Sequence, residues 1–195
     1  FIESELEARF LGALKHYRTS QLHVLLTNEL INGKPGYFLK IGEKAYYIEP
    51  QVNLGELDGV SIPSRADFVI RSARSKDSIK PIAVFLDGYA YHRDRVGEDM
   101  AQRMAIIQSG KFHIWSLSWY DVENKFKPQK TFYVDFMDTS MLPAGKSFND
   151  MLNGYKLSDL KGLHKKNSFD LLIQYLQNPE DTKWISYMFA FTLLH

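Results

Sequence analysis

The chain has no cysteine. That removes disulfides, thiolate metal sites and cysteine nucleophiles together. It has no apolar run long enough to span a bilayer, and the residues at hand show no signal-peptide pattern, so the expectation is a cytoplasmic protein without a membrane partner. An excess of one charge is missing too: 24 Lys and Arg face 23 Asp and Glu, a net charge of +1. Nucleic acid would therefore have to meet a local basic patch rather than a bulk field. Internal repeats and low-complexity tracts are absent, which sets aside solenoids and disordered linkers. What is present, 195 residues of which 45% are hydrophobic and 24% charged, suits one domain or a domain with an appendage. The ends, Phe1 and the apolar run Phe189 to Leu194, give the expectation of a domain cut from a longer protein.

The pattern is read around Pro81 to His92, PIAVFLDGYAYH. An apolar run between Pro81 and Gly88 predicts a strand buried on both faces. Before it, Ser4 and Glu7 stand at capping-box spacing, and Leu6, Phe10, Leu14 and Tyr17 predict one face of a helix. Residues 20–30 are ambiguous between helix and strand. Tyr37 to Ile41 and Lys44 to Ile48 predict a hairpin across Gly42-Glu43, with a short strand over Gln51 to Leu54. Ala66 to Arg71 is the next strand. Val96 to Ser109 predicts a helix with Met100, Met104 and Ile107 inward, ended by Gly110. Phe112 to Leu117 and Phe132 to Phe136 read as further strands, with Trp115 and Trp119 in the core or at its rim. From Lys146 the pattern turns helical, near 147–153, 157–164, 168–177 and 180–194. The expectation is a mixed α/β unit over residues 1–140 and a helical C-terminal extension over 141–195.

Asp87 lies where the apolar strand leaves the core, a costly place for an uncompensated carboxylate. If the loop Ser72 to Lys80 closes an antiparallel pair about Lys76, Asp67 falls opposite residues 85–87 and can meet Asp87 on one face. Two carboxylates at strand ends are the minimum for Mg²⁺, which takes hard oxygen ligands and few protein ones. Such an ion polarises a phosphodiester and lowers the pKa of an attacking water. His92, five residues on, stands where an imidazole can act as base or hold a phosphate. Arg71, Arg74, Arg93 and Arg95 offer charge to a nucleic-acid backbone.

A helix with S-x-x-E, then A-D-F-V, V-F-L-D-G-x-x-x-H, an acidic helix and S-G-x-F-x-x-W resembles the PD-(D/E)XK nuclease superfamily, most closely its very-short-patch-repair endonuclease-like branch, over roughly residues 4–122. The resemblance implies a restriction-endonuclease-like core, a mixed central sheet flanked by helices, and Mg²⁺- or Mn²⁺-dependent cleavage of DNA. It assigns Asp67 to the metal-binding aspartate, Glu7 to the first-helix glutamate, His92 to a downstream active-site histidine and Asp99 to a helix aspartate framing the site. Asp87 falls where relatives carry lysine or its histidine substitute. The segment Ala83 to His92 with Asp99, Gln102-Arg103 and Ser109-Gly110 also resembles a C-terminal part of large DEAD/DEAH-type helicases of bacterial defence systems. That implies a helicase domain, in the same chain or complex, as partner.

The motif departs from the family at Phe85-Leu86-Asp87, which lacks the acid of its first position and the lysine of its third. The alternative is thus an inactive nuclease-fold module that holds DNA or docks a partner. Structural readings stand beside the functional ones: Asp67 as a strand-end acceptor, Asp87-Gly88 as a turn, His92 as a hydrogen-bonded structural residue and Glu7 as a capping residue. Glu98/Gln102 and Asp99/Arg103 read as helix-surface pairs. An interaction scaffold built on Trp184, Tyr187 and Phe191 is the third class, and it requires those rings to be exposed. Gly145-Lys146-Ser147 resembles the end of a Walker loop, but Ser140 replaces its first glycine and Pro143 interrupts it, which rejects ATP binding there.

Overall fold

The structure, a computed structural model, describes residues 2–20, 22–87, 96–127, 166–181 and 183–184. Ser4 starts α1 (Glu5–His16), its hydroxyl accepting from the Glu7 N–H and so satisfying one of the unpaired donors of the first turn. Leu6, Phe10 and Leu14 are buried along one stripe, and the Phe10 ring lies 5.1 Å from that of Phe68.

Among the described residues six strands follow: β1 (Val24–Ile31), β2 (Lys34–Ile41), β3 (Lys44–Leu54), β4 (Ser64–Ser72), β5 (Ile82–Asp87) and, after α2 (Val96–Gln108), β6 (His113–Ser118). They form one sheet in chain order, antiparallel from β1 to β5, with β6 parallel to β5. A parallel neighbour requires a crossover, and α2 supplies it. The chain is therefore α/β with a mixed sheet flanked by helices. The ambiguous 20–30 stretch contributes edge strand β1. Asn32 and Gly33, at φ 51° and 77°, close it onto β2 in the left-handed turn that hairpins favour.

The sheet has a core on each side. Phe68, Ile70, Ile82, Val84 and Trp115 pack with α1, while Val69, Ala83 and Ile114 pack with Ala105 and Ile106 of α2. Met100, Met104 and Ile107 of α2, expected inward, are only half-buried; Arg103, Ala105 and Ile106 are the buried positions. Beyond β6 come α3 (Trp119–Glu123) and α4 (Ser168–Gln177), and Phe169, Leu172 and Leu176 of α4 share the α1-side core. The Trp115 indole N–H donates to Ser168 Oγ at 3.0 Å, tying α4 to β6. Trp184 is buried, which removes it from any exposed scaffold surface. Tyr187, Phe191, the strand expected at 132–136, the helices expected at 147–153 and 157–164 and most of 180–194 lie outside the described residues. Among the described residues no helix is long and apolar enough to cross a membrane.

The expected short strand at Gln51 to Leu54 is instead the end of an 11-residue β3. Gln51 has φ 53°, and the ladder passes from Pro50↔Phe68 directly to Val52↔Ala66. A left-handed backbone costs a residue with a Cβ roughly 1–2 kcal/mol. Gln51→Val, a favourable strand substitution elsewhere, is therefore expected to destabilise by about 1–2 kcal/mol, whereas Gln51→Gly should stay within about 0.5 kcal/mol of wild type. Urea denaturation of the two variants checks this.

Candidate active site at the fork of two strands

The Gln51 distortion sits beside Asp67. Strict alternation would put Ala66 and Val69 on opposite faces, yet both pack in the α2-side core. The β4 strand thus rotates at Asp67, and its pairing with β5 stops at Phe68↔Val84. β5 continues alone with β6 as far as Asp87↔Ser118. The next ladder position would leave the Leu86 N–H without a partner. The Asp67 carboxylate takes it instead, Oδ2 accepting from Leu86 N–H at 2.7 Å. Extending the β4–β5 register places Asp67 abreast of Phe85, within the expected 85–87 window.

Asp67 is held in an unfavourable field. Its pKa is pushed up from 3.8 to about 6, first by burial, with Glu7 and Asp87 adding like charge; the Leu86 N–H and the Arg65 charge pull the other way. Carboxylates from α1 and β5 therefore both act on the one from β4. Glu7 is only 3% exposed, and its Oε2 accepts from the Glu3 N–H at 3.1 Å. That is one residue before the Ser4 N–H a capping box would use. Its charge also helps raise the pKa of the Tyr37 hydroxyl, after burial. Arg65 is anchored to Gln51 and Glu3 rather than to Asp67.

Asp87 has a different partner. Its Oδ1 accepts from Arg103 Nη2 at 2.5 Å, and the guanidinium lies 5.3 Å from the centroid of the Phe85 ring. The Arg103 side chain is 7% exposed, so it is not the surface member of a helix pair that its spacing from Asp99 suggested. The signal was in the sequence: Arg103 stands three residues before Ile106, at the spacing that shares one helix face.

No family model, curated protein or solved structure matches this chain.

Among the described residues, Arg71 and Arg74 lie away from the fork. Arg71 donates Nε–H to Glu49 Oε1 at 2.7 Å and lies over the Phe112 ring, on the α2 side of the sheet. Arg74 is exposed beyond the far end of β4, seven residues and so roughly 20 Å from Asp67 at strand rise. His92, Arg93 and Arg95 lie outside the described residues; Asp99 is half-buried in the first turn of α2. Among the described residues no group of three or more His, Asp or Glu side chains has metal-ligating spacing. Excess negative charge around Asp67 nevertheless suits a cation, and Asp67 and Asp87 are the carboxylates that could supply its oxygen ligands. Asp87 must loosen its hold on Arg103 to serve.

Proposed function

We propose that this chain is a Mg²⁺- or Mn²⁺-dependent DNA endonuclease-like domain with a restriction-endonuclease-like core. The observation that carries the reading is the β4–β5 fork, where the half-buried Asp67 faces the like charges of Glu7 and Asp87. Mutual repulsion of this kind is relieved by a divalent cation or by protonation. The order α1, antiparallel strands, α2, parallel β6 also supports the nuclease-like core that the motifs suggested.

Asp67 and Asp87 would hold the ion, which when bound polarises a phosphodiester and acidifies an attacking water. The chain's own groups set the stage for that. The Leu86 N–H fixes the orientation of Asp67. Glu7, buried at the first turn of α1, adds negative charge on the α1 side. His92, just past β5, assists the water or the phosphate, and Arg93 and Arg95 with Arg71 and Arg74 meet the DNA backbone. The same reading sets a helicase domain beside this one, in the same chain or complex, as in bacterial defence.

A nicking assay on supercoiled DNA with Mg²⁺ or Mn²⁺ tests it. Cleavage should fall roughly a thousandfold in Asp67→Ala, the size expected for losing a metal's charge stabilisation. Cleavage unchanged in that variant would remove Asp67 from the chemistry. The second reading, an inactive module that binds DNA or a partner, is favoured by the Arg103–Asp87 ion pair and predicts DNA binding without metal-dependent cleavage.

A further inference from the structure

We propose that Arg103 is a resident counter-ion of Asp87 at the carboxylate fork, and that a divalent cation enters by exchanging with it there. The inference rests on the metal-site reading above and adds what controls that site. A guanidinium cannot shed its charge in a protein, so Arg103 is a permanent cation wherever it sits. It sits in the middle of α2 with its side chain 7% exposed, its Nη2 2.5 Å from Asp87 Oδ1 and its plane near the Phe85 ring. Ring and carboxylate hold it together, so it is a built-in group rather than a passing surface contact. Phe85 and Asp87 are the first and third positions of the motif in which the resemblance expects an acid and a lysine. In this chain the ring supports a cation that arrives from the helix, and the acid binds it.

Two positive charges on one carboxylate repel. Metal affinity at the fork is thus set by competition with Arg103. Removing the guanidinium takes that charge from Asp87, beside Asp67, which weakens the metal-free fold and strengthens the pull on a divalent ion.

The test is a thermal-melt titration of wild type and Arg103→Gln with Mn²⁺ alone, without DNA. Arg103→Gln should melt lower than wild type in chelator and gain more on adding Mn²⁺, with an apparent affinity about tenfold tighter. Adding Asp87→Asn to that variant should erase the gain. Should Arg103→Gln not fold, Arg103→Lys replaces it; a flexible point charge yields Asp87 more readily, so it should bind Mn²⁺ more tightly than wild type. Equal or weaker Mn²⁺ affinity in the variant, with wild type still binding, would overturn the exchange while leaving the metal reading intact. No Mn²⁺-induced shift in either protein would overturn both.

Discussion

Asp67→Asn is expected to stabilise the metal-free protein at neutral pH by about 2–3 kcal/mol, the equivalent of its displaced pKa. The carboxyl is pushed up from 3.8 to about 6 in the folded state. Folded protein therefore holds the Asp67 proton more tightly than unfolded chain does. Below about pH 4 both states are protonated and Asp67 carries no penalty. As pH climbs from about 4 to about 6 the folded state must ionise against burial and two like charges, and stability is lost; above that the loss is complete. Asparagine retains an oxygen for the Leu86 N–H and has no charge to bury. The difference between variant and wild type should thus be largest above about pH 6 and vanish below about pH 4. Urea denaturation in chelator across that range measures it. The same variant should lose metal-dependent cleavage, so one substitution raises stability and removes activity, as expected where a site stores strain for function.

Asp121→Ala should have the opposite sign and a larger size, a loss of about 3–5 kcal/mol. Asp121 is 7% exposed and uses both oxygens. Oδ2 accepts from the Ser118 N–H at 2.9 Å and the Ser118 hydroxyl at 2.6 Å, closing the cap of α3. Oδ1 accepts from the Ser168 N–H at 2.9 Å, at the start of α4. Hydrogen bonds to a charged acceptor contribute about 1.5–3 kcal/mol each, and alanine would leave a buried N–H unpaired at Ser168. Because Ser168 Oγ accepts from Trp115, tryptophan fluorescence during denaturation should report α4 releasing from β6. Asp121→Asn, which keeps one acceptor oxygen, should recover part of the loss.

Much of the frame was legible because local chemistry specified it. The apolar run at 82–86 predicted a buried strand, and Gly42 predicted the β2–β3 turn. The loop after Arg71 predicted that Asp67 would meet the end of β5, where its carboxylate in fact takes the Leu86 N–H. Ser118 and Asp121 stand at capping-box spacing and could have been read as such. The reach of Asp121 to Ser168 could not, since 47 residues separate them. Its i, i+4 spacing from Asp99 gives Arg103 the pattern of a surface pair, whereas its place three residues before the buried Ile106 sets it on the inward face of α2. The positive φ at Gln51 left no trace in residue type, because glutamine does not advertise a left-handed backbone as Gly33 does.

Calorimetric titration of Mn²⁺ into wild type and Asp67→Asn tests the central claim, that the fork of β4 and β5 is a divalent-cation site. Wild type should give a saturable heat, and Asp67→Asn, folded and more resistant to urea, should give none. Matching heats in the two proteins, or none in wild type while Arg103→Gln is equally silent, would contradict it.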